Sequence, residues 1–322
     1  MTIAQFTDAM KERFGDRFSE HEVMAEHTTM HLGGVADFYV EADTSAEIIE
    51  AATFATQANV PYFLVGGGAN IIFSDFGFPG LVIHNRTKNI SLMVEKSQAI
   101  VDAGVPGARL VMEAAARNLG GLEFLATIPG TIGGAVYGNA GAYGGMIGDF
   151  VRGATLLLPD GTIKQVDHAW FAFDYRMSRV KQLAKEGKPK PIILTVTVQF
   201  QRFKREDILG KIGEMHSKRR QRQPQGETVS GSIFKNPAGR PSGLTESDEF
   251  IKKTANYLIR AAGAHRLRVG GAALSPKNAN WIVNLGTARG SDIRDLTERI
   301  RTLVREKTGE VLEEEIEYVG QW

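Results

Sequence analysis

Apolar residues recur along this chain at two spacings, and the change from one to the other marks out its elements. Ile3, Phe6, Met10, Phe14 and Phe18 stand three to four apart and predict an amphipathic helix over 3–18. VADFYVE (35–41) predicts a strand, and Thr44 with Glu47 forms a capping box ahead of the helix AEIIEAATFATQA, which Pro61 ends. YFLVGGGANIIFSD (62–75) reads as strand, glycine-rich turn and apolar strand, and LVIHN (81–85) as a further short strand. AIVDAGV (99–105) predicts another, after which Pro106 opens the helix GARLVMEAAARNL and Gly120 serves as its C-terminal glycine.

In the second half, ATLLLPDGTIKQV (154–166) predicts a hairpin turned at Asp160-Gly161. IILTVTVQFQ (192–201) keeps apolar residues at alternate positions, the pattern of a half-buried strand. A helix over 205–223 carries Ile208, Ile212 and Met215 on one face and ends in the basic run KRRQRQ. VSGSIFKNPAGRPSG (229–243) reads as a turn-rich loop, FIKKTANYLIRAAG (250–263) as helical, and AHRLRVGGAALSPKNANWIVN (264–284) as a loop. Ile293, Leu296, Ile300, Leu303 and Val304 share the face of a helix over 291–308 that stops at Gly309, and LEEEIEYV (312–319) is a last strand. Breaks near 80 and 210 divide the chain into three regions, with no internal repeat.

One stretch fits neither spacing. GGLEFLATIPGTIGGAVYGNAGAYGG (120–145) is dense in glycine and almost free of charge, a composition that lets backbone approach a bound molecule closely. The formal net charge of the 322 residues is only +1, so no global field draws the chain to nucleic acid or an anionic membrane, and a small anionic ligand fits better. Without cysteine there are no disulfides, thiolate nucleophiles or Cys-based metal sites, and the scattered histidines offer no metal pair either. The N-terminal residues lack the apolar core of a signal peptide, and no apolar run approaches the ~18 residues of a membrane span, so a cytoplasmic protein is expected.

The turn at Gly66, Gly67 and Gly68 is open to two readings, a tight structural turn or a phosphate cradle. Together with 120–145 it could hold an extended ligand carrying a pyrophosphate. Neither stretch has the GxxxxGK(S/T) pattern, and neither is a GxGxxG followed about twenty residues later by an acid, so a P-loop and a Rossmann dinucleotide site both fit poorly.

Six ordered motifs carry a resemblance that spans nearly the whole chain. VGGGANIIFSDFGFPGLVI, GLEFLATIPGTIGGAVYGNAGAYGG, FDYRMS, GSIFKNP, LRVGGAALSPKNANWIVN and LEEEIEYVG are similar to the UDP-N-acetylenolpyruvoylglucosamine reductase (UDP-N-acetylmuramate dehydrogenase) family. The resemblance implies an α+β protein: a vanillyl-alcohol-oxidase-type (PCMH-type) FAD-binding domain of two subdomains, 1–80 and 81–210, and a C-terminal α+β substrate-binding domain, 211–322. The terminal strand is expected to return toward the active site. FAD is implied as a non-covalent cofactor and NADPH as co-substrate, in a monomer. The chain lacks the insertion bearing a substrate-clamping tyrosine and so resembles the shorter subgroup.

Residue by residue, the resemblance assigns Gly66, Gly67, Gly68, Ala69, Asn70, Ile128, Pro129, Gly130, Gly133, Gly134, Asn139 and Gly141 to FAD. Ala69 stands where the family commonly has serine. Ser232 in GSIFKNP matches the serine that donates a proton to the substrate, Arg176 in FDYRMS the arginine that grips its carboxylate, and Glu315 the glutamate beside the developing enolate. Without the motifs, Ser232 is a turn serine, Arg176 a loop arginine, and Glu315 one of a row of solvated carboxylates with Glu313 and Glu317. The basic run, alone a solvated helix end, is implied to bring one of Arg219, Arg220 and Arg222 to the UDP diphosphate, with Arg220 the choice. Asn236 and Asn278 are implied as polar contacts to substrate. The stretch 238–254 is longer and more polar than the family's usual turn. Two other classes remain: a flavin oxidase or dehydrogenase of the same cofactor fold, which leaves Ser232, Arg176 and Glu315 without a joint role, and a non-catalytic flavin or nucleotide-sugar binder.

Overall fold

The first helix, Ile3–Phe14, begins with a capping box: Thr2 Oγ1 accepts the Gln5 N–H at 3.3 Å while the Gln5 side chain accepts the Thr2 N–H at 3.0 Å. It buries Phe6, Met10 and Phe14 and ends at Gly15, whose φ of 56° breaks the helical path. Phe18, expected on the same helix, instead opens the strand Phe18–Val23. Helix Ser45–Gln57 starts at Thr44 as predicted, but its capping box is incomplete. Thr44 accepts the Glu47 N–H, whereas the Glu47 carboxylate takes the Asp43 N–H at 2.8 Å and a two-pronged grip from Arg17 at 2.7 and 2.8 Å. The hydrogen bonds from Arg17 and their charge hold the Glu47 pKa down at about 2, despite the opposing effect of burial.

The computed structural model describes residues 1–240 and 247–322. Its contacts gather the chain into two compact units: Met1–Glu20, Phe38–Gly67 and Gly80–His216 form one, and His21–Asp37, Gly68–Pro79 and Ser217–Trp322 the other. Two early segments join the last third because their bonds are there. Strand Ile71–Phe73, for example, pairs in parallel with Glu317–Val319.

In the first unit, strand Tyr62–Val65 runs parallel to Phe78–Asn85 in the register Tyr62↔Leu81 to Val65↔His84. Helices Ile3–Phe14 and Ser45–Gln57 share a core with Leu81, Ile83, Leu157, Ile192 and Leu194. A five-stranded antiparallel sheet has the order Ile163–Asp167, Val151–Leu157, Ile192–Gln199, Gln98–Asp102, Ile90–Met93. The predicted hairpin closes between Leu157 and Ile163, with Gly161 at φ 85°. The helix after Pro106 runs Gly107–Ala115 and stops short of Gly120: Asn118, at φ 59°, makes the left-handed turn, and Gly120 pairs with Gln201. Asparagine tolerates this conformation because its short polar side chain stabilises it locally.

The second unit is built on an antiparallel sheet ordered Val229–Ser232, Trp281–Asn284, Ala272–Leu274, Arg268–Val269. These strands replace two predicted loops. At two to four residues each, interrupted by Gly231, Gly270 and Gly271, they are too short to show an alternating pattern. The helical stretch 250–263 is two helices, Asp248–Lys252 and Ala255–Ala261, parted where Thr254 caps the second by accepting the Tyr257 N–H. Helix Gly290–Thr308 buries Ile293, Leu296, Ile300 and Val304 in a core with Met30, Ile72, Phe234 and Ile316. Among the described residues no helix is long and apolar enough to cross a membrane.

Candidate active site

In the first unit the two glycine-rich stretches meet backbone to backbone. A Cβ at Gly66 would fall 2.4 Å from Thr131 Oγ1, and one at Gly67 would fall 2.9 Å from Gly130 Cα. Glycine is required at both by close approach. Gly130 is bare for another reason: its φ is 112°, and a Cβ there would meet nothing within 4 Å. Thr131 caps helix Ile132–Gly138, accepting the Gly134 N–H at 3.5 Å. The Ile132 and Gly133 N–H groups donate to Val105 and Ala103 carbonyls at 2.8 Å each, so this helix end has spent most of the donors an anion would use. Pro129, Gly67 and Gly134 are exposed and Ile128 half-buried, which leaves a backbone edge beside the open space over Gly130.

Arg176 lies close to the same helix in the chain's bonding. Asp174 and Met177 close a tight turn with bonds of 3.1 and 3.0 Å, and Arg176 within it has φ 54°, a conformation that favours glycine. Such a residue costs about 1–3 kcal/mol and needs surrounding structure to hold it. Asn139 supplies part of that hold. It is 3% exposed, its Nδ2 donates to the Asp174 carbonyl at 2.8 Å, and its Oδ1 accepts the Gly148 N–H at 3.0 Å. Arg176 Nη2 donates to the Gly141 carbonyl at 2.7 Å, and the guanidinium lies 5.4 Å from the Tyr175 ring centroid. Asn139 and Gly141, both expected at FAD, therefore aim and steady Arg176.

The second unit holds Ser232 at the end of Val229–Ser232, opposite Trp281. The register shifts between Val229 and Ser232, where Gly231 takes φ 86°. Past this bulge the chain is fixed on two sides. The Glu315 N–H donates to the Ile233 carbonyl at 2.7 Å, and Asn280 exchanges two hydrogen bonds with the Phe234 backbone, at 3.0 and 2.8 Å. Lys235, 8% exposed, pairs with Glu313 at 2.8 Å, and Arg301 reaches Glu314 at 3.1 Å. The glutamates around 315 are thus bonded into the fold.

Loop residues 68–70 bond directly to the segment of Glu315 and, through Thr29, to the strand of Ser232. Asn70 Nδ2 donates to the Glu315 carbonyl at 2.9 Å, and the Asn70 carbonyl accepts the Glu317 N–H at 3.1 Å. The Gly68 carbonyl accepts the Thr29 N–H at 3.2 Å, while Thr29 Oγ1 donates to the Val229 carbonyl at 3.0 Å. Among the described residues the N–H groups of Gly67, Gly68, Ala69 and Asn70 donate to no protein acceptor. Free donors on bare backbone suit an anionic group.

The expected substrate residues lie in the second unit. Arg220 is exposed, and its carbonyl accepts a bond of 2.5 Å from Lys277 Nζ. Arg219 lies 5.6 Å from the centroid of Trp281. Asn278 Oδ1 accepts the Asn280 N–H at 3.0 Å and its Nδ2 approaches the Arg222 carbonyl at 3.5 Å. Asn236 Oδ1 accepts the Ala255 N–H at 3.1 Å, at the start of the Ala255–Ala261 helix. Of the polar stretch 238–254, residues 241–246 lie outside the described residues, and beyond them Ser247 caps Asp248–Lys252. Sequence reasoning gave no role to Thr29, Thr131 or Asn280. Thr131 and Asn280 lie inside quoted motifs and Thr29 well before the first of them, and the partners of each are distant in sequence.

An α+β chain with two bare-backbone loops, and with Glu315 bonded to the backbone beside Ser232, fits the class of flavin-dependent oxidoreductases. The family model for the FAD binding domain matches residues 36–167, and that for the C-terminal domain of UDP-N-acetylenolpyruvoylglucosamine reductase matches 223–319. The chain is 33% identical over 95% of its length to UDP-N-acetylenolpyruvoylglucosamine reductase of Lachnoclostridium phytofermentans, covering 94% of that protein. It is 34% identical to that of Carboxydothermus hydrogenoformans, covering 100% of both. The crystal structure of UDP-N-acetylenolpyruvylglucosamine reductase from Thermus caldophilus matches with a TM-score of 0.74 at 31% identity, over 93% of this chain and 98% of that one. The chain belongs to the UDP-N-acetylenolpyruvoylglucosamine reductase family.

Proposed function

We propose that this protein reduces the enolpyruvyl group of UDP-N-acetylglucosamine-enolpyruvate to give UDP-N-acetylmuramate for peptidoglycan synthesis, with NADPH as reductant. The observation that carries the reading is the 2.7 Å bond between the Glu315 N–H and the Ile233 carbonyl, which sets the two candidate proton-handling residues on adjoining backbone. An oxidase of the same cofactor fold gives that pairing no use. Nucleotide-sugar and NADPH substrates imply action in the cytoplasm. The FAD domain would take one half from the region of Tyr62–Val65 and the other from the five-stranded sheet.

Bound FAD supplies the hydride, taken from NADPH, that adds to the terminal enolpyruvyl carbon. Addition to an enol ether is unfavourable unless the electron pair released from the C=C bond is taken up by the neighbouring carboxylate. Arg176 serves there, its planar guanidinium matching both oxygens and gaining strength as charge develops. Ser232 Oγ then donates its proton to the carbon next to the carboxylate. A serine hydroxyl is a weak acid, so Glu315 acts beside it to hold a proton or hydrogen bond near the enolate. Arg220, Asn236 and Asn278 are assigned to the nucleotide-sugar.

The test is a pair of half-reactions. The purified protein is expected to be yellow and to be bleached by NADPH in the absence of oxygen. Addition of UDP-N-acetylglucosamine-enolpyruvate then restores the oxidised spectrum; a flavin that stays reduced sinks the reading.

A further inference from the structure

We propose that Thr29 is a positioning residue for Ser232, tying the serine's strand to loop 68–70. The proposal rests on Ser232 being the proton donor of the reaction above.

Thr29 makes two hydrogen bonds to segments far apart in the chain. Its N–H goes to the Gly68 carbonyl at 3.2 Å and its Oγ1 to the Val229 carbonyl at 3.0 Å. The first contact has no slack. Gly68 has φ 60°, and a Cβ on it would fall 2.1 Å from the His27 carbonyl oxygen and 2.9 Å from Thr28 Cα, so residues 27–29 press directly on the loop. The second contact falls where the strand needs it. Between Val229 and Ser232 the ladder is out of register, and a bulge leaves its extra residue unpaired and free to re-aim the next side chain. Ser232 therefore takes its direction from the anchors on either side. On the far side these are Asn280 and Glu315, through Ile233 and Phe234. On the near side, Thr29 adds to the ladder partner Val283 a bond that also reaches the loop. Ser230, between them, is 1% exposed and its Oγ finds no partner among the described residues, so it contributes no anchor.

The hydroxyl is the separable part. Thr29→Val keeps the shape and the N–H bond to Gly68 while removing the bond to Val229, and Thr29→Ser restores the donor. Loss of alignment by about 1 Å can cost on the order of 100-fold in rate, so in Thr29→Val substrate-driven reoxidation of the reduced flavin is expected to slow by about 10- to 100-fold. Its solvent deuterium isotope effect should rise as proton donation becomes limiting. The FAD dissociation constant, read from flavin fluorescence on titrating apoprotein, and the rate of reduction by NADPH should stay near those of the unsubstituted protein, and Thr29→Ser should recover reoxidation. Wild-type reoxidation in Thr29→Val overturns the proposal. So does a protein that loses its fold, or one whose FAD affinity and both half-reactions fall together, because the residue is then merely structural. If Thr29→Ser is as slow as Thr29→Val, the hydroxyl is not the cause. Failure of the unsubstituted protein to be reoxidised at all refutes the assigned reaction itself, and this proposal with it.

Discussion

Asn70 grips the segment Glu315–Glu317 at two points: its Nδ2 donates to the Glu315 carbonyl at 2.9 Å, and its own carbonyl accepts the Glu317 N–H at 3.1 Å. The residue that closes the glycine turn thus also fixes the register of a candidate catalytic carboxylate. Asn70→Asp replaces the donor by an acceptor facing a carbonyl. Leaving that carbonyl unpaired costs about 1–3 kcal/mol, which urea unfolding would read as a lower midpoint. Reoxidation by substrate is expected to slow more than reduction by NADPH. Equal slowing would detach Asn70 from Glu315 in function.

Ser232→Ala is expected to leave reduction by NADPH nearly intact and to slow reoxidation by about 100- to 10,000-fold, the range that general acid catalysis contributes. Stopped-flow absorbance of the flavin separates the two. Equal losses would remove Ser232 from the proton-donor role.

Gly67 and Gly130 are bare for different reasons, and alanine distinguishes them. At Gly67 the new Cβ would lie 2.9 Å from Gly130 Cα, backbone that cannot yield without parting the two loops. Gly67→Ala is therefore expected to weaken FAD binding in a fluorescence titration. Gly130→Ala meets no neighbour but carries φ 112°, a strain of about 1–3 kcal/mol, and is expected to lower the melting temperature of the apoprotein as well.

Asn139, at φ 44°, spends both polar atoms of its side chain on the fold around Arg176. Asn139→Gly accepts that backbone angle without strain yet removes both bonds. The expected outcome is a higher KM for the enolpyruvyl substrate with the FAD content of the purified protein retained. Loss of FAD in proportion would mean that Asn139 serves the cofactor after all.

Arg17 depresses the Glu47 pKa from its ordinary 4.5 to about 2. A carboxylate with a depressed folded-state pKa stabilises the fold above its unfolded value, and this contribution is lost as pH falls from 4.5 toward 2. Glu47→Gln is expected to flatten that part of the stability profile, measured as urea midpoints against pH, and to lower stability at neutral pH.

The long periodic elements were legible in the sequence. The helix ending at Gly309 carries five apolar residues on one face, and the hairpin at Asp160-Gly161 announces its own turn. Trp281–Asn284 and its neighbours were not, because a strand of four residues has no room for a period and its pairing is set by partners elsewhere. The glycines of the site were legible as a commitment to bare backbone. Which of them is crowded and which is merely left-handed was not: Gly66 is fixed by Thr131, a partner that no local pattern names. Thr29 escaped for the same reason, since both its bonds reach other parts of the chain.

The parallel pairing of Ile71–Phe73 with Glu317–Val319 also dictates an order of events during synthesis. When the ribosome has made Phe73, the strand's partner is still most of the polypeptide away. An apolar edge of this kind attracts other chains until it is covered. Folding of the second unit must therefore wait for residues 317–319 to emerge. A nascent chain stalled before them would keep the loop 68–70 without its Glu315 bond, and should be retained by chaperones where a full chain is released.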